Sequence, residues 1–435
     1  MGAFFRHTPF MSSSPVSRTD HRDVSPKQHV LLLVGLAGLC GVTALAIDML
    51  LPAVAQMASS FQTTQHTIQA SLAIFVFVFG VSQLAYGAIS DRLGRRRPLF
   101  ASLAIFAAGS LLCAGAQSLE FLYVGRCLQG VGACGTAVGF MSILRDCFHG
   151  HQLAKNIAVV MGMASLAPVF APVAGAWAAT FYSWRLSFMF LAGFAATLTL
   201  GLVMVLPETH RPSQDTSPGR SAWRTVLTHP VFMKNSAIYS LSFLGLFAYL
   251  TIGAPILIHH AQLSVQEVGF WFAFNAVVFG TSNFVLAKVL HSFALSRLID
   301  LGVVFLVLGG LGMLFPFGLP PDSAFMLPMS FVTIGVACIA PASQAAALEP
   351  FEHAAGTAAS WLGFLRFTCA SLLGFAIGAA QESSVVSCVT LLSALLVILL
   401  RLTMSAQTKK AISSRQPSSS PPPFLSKAGD SSPPC

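Results

Sequence analysis

Three ionisable side chains, Asp48, Arg126 and Arg366, sit inside long apolar runs of this 435-residue chain. At the centre of a bilayer each costs about 2.5–3.5 kcal/mol on the insertion scale, so each needs a reason to be there. A carboxyl in such a place can carry a proton. Low-dielectric surroundings favour its neutral form, a nearby guanidinium favours the carboxylate, and small movements between the two conditions load and unload it. Asp48 lies in Ile47-Asp48-Met49-Leu50-Leu51-Pro52, near the end of its run, and Arg126 lies near the start of another. At about 1.5 Å per residue both fall within about 5–10 Å of one membrane surface, where they can face one another across a shared cavity. The plainer alternative is that Asp48 caps a helix end or sits in interfacial water. Asp48 is the only acid well inside an apolar span, and the histidines fall in loops, tails or helix ends. Arg366, near the middle of its run, is either a site for an anionic substrate group or a structural arginine held by backbone carbonyls.

The elements that must position these groups follow from composition. The chain is 55% hydrophobic and 9% charged, against about 25% charged in a soluble protein, which makes it an all-α polytopic membrane protein. Its net charge of +9 resides in short loops and tails rather than on one face, so it reads as membrane topology and not as a nucleic-acid surface. With about 20 apolar residues per crossing, spans are expected at 30–51, 68–89, 98–117, 121–143, 156–180 and 185–206. After a polar segment from Pro207 to Pro230, six more are expected at 234–258, 267–289, 298–317, 324–347, 355–380 and 384–402. Placing both termini in the cytoplasm puts Arg92 to Arg97, Arg145, Lys155, Arg211, Arg220, Arg224, Lys234, Lys288, Arg297, Arg401, Lys409 and Lys410 inside. Only Arg185 is left outside, the asymmetry that fixes orientation. The expected organisation is a disordered tail over 1–29, six-helix halves over 30–206 and 234–402 joined by a cytoplasmic linker over 207–233, and a disordered tail over 403–435. The first tail has no apolar core and does not read as a secretory signal. The nine cysteines are scattered without a C-x-x-C pair, which points to packing rather than disulfide or metal. There is no G-x-x-x-x-G-K-[ST] loop for a nucleotide.

Between the second and third spans, Gly87-Ala88-Ile89-Ser90-Asp91-Arg92-Leu93-Gly94-Arg95-Arg96-Arg97-Pro98 packs one acid and four arginines into a tight turn. A stop-transfer cluster explains the arginines, but not glycine four before the aspartate and again three after it. A second regularity is internal. Phe79-Gly80-Val81-Ser82-Gln83 is echoed two hundred positions later by Phe279-Gly280-Thr281-Ser282-Asn283. In that register Gly87 falls on Ala287 and Asp91 on His291, so the second copy of the turn has decayed.

The turn resembles the G-x-x-x-D-R-x-G-R-R loop of major facilitator superfamily transporters, and the resemblance runs from about residue 30 to 402. It implies two pseudo-symmetric six-helix halves with a substrate site between them near the midplane. It also implies a cytoplasmic gate built on Gly87, Asp91, Arg92, Gly94, Arg95 and Arg96, with Asp91 and Arg95 as its latch. Arg126-Cys127-Leu128-Gln129-Gly130 resembles the R-x-x-Q-G motif of the drug/proton antiporter group, and the stretch around Asp48 resembles that group's first-helix signature. Asp48, Arg126 and Gln129 would then couple protons. Ala167-Pro168-Val169-Phe170-Ala171-Pro172-Val173-Ala174-Gly175 resembles the antiporter motif G-x-x-x-G-P-x-x-G-G, with Gly162, Pro168, Pro172 and Gly175 as its positions and Ala176 in place of the last glycine. The paired-proline form resembles the Bcr/CflA branch, the group of the bicyclomycin resistance protein. The resemblance implies a proton-driven exporter of small amphipathic compounds in a bacterial inner membrane. It would need no cofactor beyond the proton gradient, and a monomer suffices mechanically. An importing symporter or facilitator is the alternative, because fold does not fix direction or cargo. Tyr239, Phe243 and Phe247 share a face at i, i+4 and i+8, with Ser343 and Gln344 as possible polar partners and Arg366 a further candidate in the same half. They line either a substrate cavity or ordinary core. His259 and His260 end the seventh span as a solvated cap or, less simply, as a metal pair.

Overall fold

The computed structural model describes residues 26–413, apart from 149, 209–219, 290–293, 316–317, 352–354 and 379–381. The described residues are helical throughout. The first half contains α1 (Pro26–Asp48), a 3-10 turn (Leu51–Ala53), α2 (Val54–Ser60), α3 (Gln65–Leu93), α4 (Arg96–Ala114) and α5 (Leu119–Cys147). It continues with α6 (Gly150–Ala164), α7 (Ala167–Phe181) and α8 (Trp184–Val205). A short helix, α9 (Arg220–Thr228), precedes the second half. That half comprises α10 (Pro230–His259), α11 (Val265–Val289), α12 (Leu295–Leu314), α13 (Pro321–Leu348), α14 (Ala355–Ile377) and α15 (Ser383–Ser413). Twelve of the resulting segments are long and apolar enough to cross a membrane, with α1 and α2 together forming one and α6 and α7 another. The end of the bundle that carries the α3–α4 turn and the 206–229 connection is called the linker end below, and the opposite one the far end.

Two helix breaks shape the site, and both have the same cause. A proline has no N–H to give the carbonyl four residues back, and its ring crowds that carbonyl. Pro52 therefore ends α1 at Asp48, and Pro168 ends α6 at Ala164. The chain recovers by 3-10-type bonds at each break, Leu50 N–H to the Ile47 carbonyl at 3.2 Å and Leu166 N–H to the Met163 carbonyl at 3.2 Å. The first span thus runs on to Ser60 instead of stopping at 51, and the fifth is two helices instead of one continuous run over 156–180. The expected polar segment from Pro207 to Pro230 also holds a helix, α9, whose Val226 is fully buried with Phe232, Tyr239, Phe351 and Leu362. α15 continues to Ser413, into the stretch read as tail.

The halves meet along two seams related by the internal repeat. On α3, a Cβ at Gly80 would lie 3.0 Å from the Phe367 Cβ of α14, and one at Gly87 would lie 3.6 Å from the Ser360 Oγ. On α11, a Cβ at Gly280 would lie 3.7 Å from the Ser165 Cβ at the α6–α7 break. The two echoed glycines therefore sit on equivalent seams, α3 against α14 and α11 against the broken fifth span. His291, the decayed counterpart of Asp91, lies outside the described residues.

Candidate functional site

Asp48 is the last residue of α1 and only 9% exposed, the one acid among the buried polar and charged residues of the described chain. Its neighbours come from three elements. The following residue, Met49, presents its backbone carbonyl to Gly175 of α7, where any Cβ would overlap it. The 3-10 turn packs on α7, α10 and α11. Tyr249 of α10 lies close enough to Asp48 for their charges to interact, and its hydroxyl is buried without a hydrogen-bond partner among the described residues. The acid therefore stands where both halves converge.

Arg126 is fully buried on α5. Its Nη1 donates to the Ala46 carbonyl at 3.1 Å and to Gln129 Oε1 at 2.8 Å, and its Nε donates to the Ser71 carbonyl at 3.4 Å. Gln129 in turn donates to Ser110 Oγ at 2.8 Å. The guanidinium lies over the Phe75 ring, 4.4 Å from its centroid. Asp48 and Arg126 were expected to face one another across a shared cavity; among the described residues no ion pair joins them. Arg126 reaches the backbone of α1 at Ala46, and Asp48 follows two residues later, about 200° further round the helix.

Arg366 of α14 has a different setting. Its Nη1 donates to the Tyr239 hydroxyl at 2.5 Å. The guanidinium carbon is 3.9 Å from the Phe243 ring centroid, 4.9 Å from that of Tyr239 and 5.2 Å from that of Phe367. Each aromatic face over a cation contributes about 0.5–2 kcal/mol. Of the residues expected to line a cavity, Tyr239, Phe243 and Arg366 are brought together. Phe247 lies one turn along α10, with its ring centroid 6.0 Å from that of Phe243. Gln344 is exposed near the linker end of α13 and makes no hydrogen bond to this group. Ser343 is buried and donates back to the Ile339 carbonyl of its own helix. Among the described residues no backbone carbonyl accepts from Arg366, so the carbonyl-held arginine is not the arrangement found.

A family model for the Major Facilitator Superfamily matches residues 36–379. The chain belongs to the major facilitator superfamily. It is 26% identical over 356 residues to multidrug resistance protein D of Escherichia coli, covering 78% of this chain and 86% of that one. It is 30% identical over 328 residues to the chloramphenicol resistance protein of Pseudomonas aeruginosa, covering 73% and 76%. The solved peptide transporter POT in complex with sulfate superposes with a TM-score of 0.69 at 16% identity, over 88% of this chain and 95% of that one, which shows the fold. As a major facilitator protein with twelve apolar spans, the chain is an integral membrane protein of a transporter family.

The superfamily loop is built at the linker end much as its spacing demands. Gly94 has φ 84°, in the left-handed region that favours glycine, and a Cβ there would press on the Glu208 carboxylate at 2.7 Å. Glu208 accepts from the Arg95 N–H at 2.7 Å and the Arg96 N–H at 3.2 Å, placing a negative charge on the N-terminus of α4. Arg95 Nε pairs with Asp146 of α5 at 2.9 Å, and its Nη1 donates to Ser90 Oγ at 3.1 Å. Arg96 donates to the Val203 carbonyl at 3.1 Å, and Arg92 is exposed. The Asp91 side chain, expected to latch Arg95, lies outside the described residues. Sequence reasoning gave no role in this turn to Asp146 or Glu208. Their signal was available: each is an acid at the linker-side end of a span, in a chain with few acids.

In the antiporter motif, Gly175 meets the Met49 carbonyl and Pro168 begins α7. Pro172 presents its carbonyl to Gly269 of α11, where a Cβ would lie 3.1 Å away. Gly162 has nothing within 4 Å of its Cβ position and makes no close approach. His259, read as a solvated cap, meets Gln65 of the first half, Nε2 to Nε2 at 2.8 Å.

Proposed function

We propose that this protein is a proton-driven exporter of small amphipathic compounds that works by alternating access, an antiporter of the Bcr/CflA type in a bacterial inner membrane. The observation that carries the proposal is the placing of Asp48: a buried acid with no salt bridge among the described residues, ending a broken helix where both halves converge. A carboxyl so placed changes its hydration whenever the halves rock, and its proton affinity changes with it. Arg126 and Gln129 hold the start of that joint through the Ala46 carbonyl. They position it, in this reading, rather than exchange a proton with it. The basic residues at the linker end agree with a cytoplasmic face there. Supporting the cargo class are the relatives' names, one for multidrug and one for chloramphenicol resistance.

The test uses energised inverted vesicles carrying wild type or Asp48→Asn at matched levels, with amphipathic acids, neutrals and cations offered in turn. Compound accumulation and dissipation of the pH gradient are read together. The wild type is expected to couple the two, and the variant to lose proton movement while still binding compound. Accumulation that survives collapse of the gradient while ATP remains would remove the proton from the mechanism. Unchanged coupling in the variant would remove Asp48.

A further inference from the structure

Two arginines are enclosed within the spans, and they differ in what is left over. Arg126 commits Nε and Nη1 to two backbone carbonyls and Gln129 and leaves only Nη2 without a partner among the described residues. Arg366 has the Tyr239 hydroxyl alone, through Nη1. Its Nε is buried with no hydrogen-bond partner, and Nη2 has none among the described residues. Nε–H and Nη2–H lie side by side on one edge of the guanidinium, and that edge matches a carboxylate with two parallel hydrogen bonds. Phe243, Tyr239 and Phe367 cover the cation with π faces but supply no negative charge. No acid among the described residues pairs with it, the one buried acid, Asp48, included. The residue as a whole is half-buried, although its Nε is enclosed. Phe367 also touches the other half, edge to face with Phe79 at 4.8 Å between centroids. The cation therefore stands beside the α3–α14 seam.

We infer that Arg366 is an acid-recognition subsite: its free Nε/Nη2 edge takes the carboxylate of a small aromatic or apolar acid, whose ring lies along the wall formed by Tyr239, Phe243 and Phe367. The inference rests on the export reading only in treating that acid as cargo. It makes the site selective for anionic or zwitterionic amphipaths. A cationic compound would meet a fixed like charge with nothing to balance it.

The experiment uses purified full-length protein in lipid nanodiscs, without a gradient. Three probes share one ring: 1-naphthoate, neutral 1-naphthamide and the 1-naphthylmethylammonium cation. Binding is read by calorimetry for wild type, Arg366→Gln and Arg366→Lys. The acid is expected to bind wild type about tenfold or more tighter than the amide, with the cation weakest. Arg366→Gln abolishes that preference, and Arg366→Lys, which keeps the charge but not the fork, retains part of it. Amide affinity equal to wild type, with a monodisperse elution profile, reports that each variant is folded. Equal affinity for acid and amide, tighter binding of the cation, no binding of the acid, or a preference that survives Arg366→Gln would each overturn the subsite. Displacement of naphthoate by inorganic phosphate at matched concentration would make it a site for free anions rather than cargo, and would overturn it as well. The export reading fails separately. A protein that binds naphthoate yet moves nothing in vesicles keeps the subsite and loses export, and one that exports cations without acid preference does the reverse.

Discussion

Arg126 shows what a buried cation needs when it has no counter-ion. Each of its bonds to Ala46, Ser71 and Gln129 exchanges water for a fixed acceptor, and Gln129 is itself held by Ser110. Removing one partner of a buried charged group leaves the full desolvation cost exposed, about 1–3 kcal/mol. Gln129→Ala is therefore expected to lower the melting temperature of the detergent-solubilised protein, read by tryptophan fluorescence, and an unchanged midpoint would mean that water replaces the amide. Asp48 makes the opposite case. It has neither ion pair nor hydrogen bond among the described residues to lose. Asp48→Asn should leave the midpoint where it is, so that a transport defect in this variant would be chemical rather than structural. A drop as large as that of Gln129→Ala would make Asp48 a structural residue.

The elements place these side chains by interrupting helices rather than by extending them. Pro52 stops α1 at Asp48, and Pro168 restarts the fifth span so that Gly175 lands on the Met49 carbonyl. A methyl group there has no room, because what it meets is backbone and not the tip of a flexible side chain. Overpacking of this kind costs about 1–3 kcal/mol. Gly175→Ala is accordingly expected to lower both the melting midpoint and the efflux rate, while Gly162→Ala, with open space at its Cβ position, changes neither. Equal effects of the two would mean that the motif acts through something other than the α7 contact. These contacts also mark how far the sequence could be read. Twelve spans were legible because runs of about 20 apolar residues have one use, and Gly94 because few residues other than glycine fit its turn. The i, i+4 spacing of Tyr239 and Phe243 put both on one face, but nothing in it showed that Arg366, over a hundred residues later, would sit against them. That Asp48 and Arg126 form no ion pair among the described residues could not be read for a related reason. Depth in the membrane follows from counting residues, whereas direction around a helix depends on where a proline breaks it.

At the scale of the whole molecule the echoed glycines lie on equivalent seams, though they are not equally close-packed themselves. Gly80 on α3 is close-packed against α14, whereas Gly280 on α11 has ordinary contact with Ser165. The hydrogen bond between Gln65 and His259 ties the halves at the far end, and Asp48 ends α1 just before the 3-10 turn that packs on α7, α10 and α11. Rocking that opens the far end has to separate those two residues first, and with them the surfaces that enclose the acid. A tether between the same positions should hold the far end shut. In a background without native cysteines, Gln65→Cys and His259→Cys joined by a short bifunctional thiosulfonate reagent are expected to stop gradient-driven efflux. Each single variant treated alike should continue, and a reductant should restore the joined protein. Because the tether leaves the linker end free, binding of compound from that side should survive while release does not. Full efflux with the cross-link complete would show that the far ends need not part, and alternating access about this seam would fail with it.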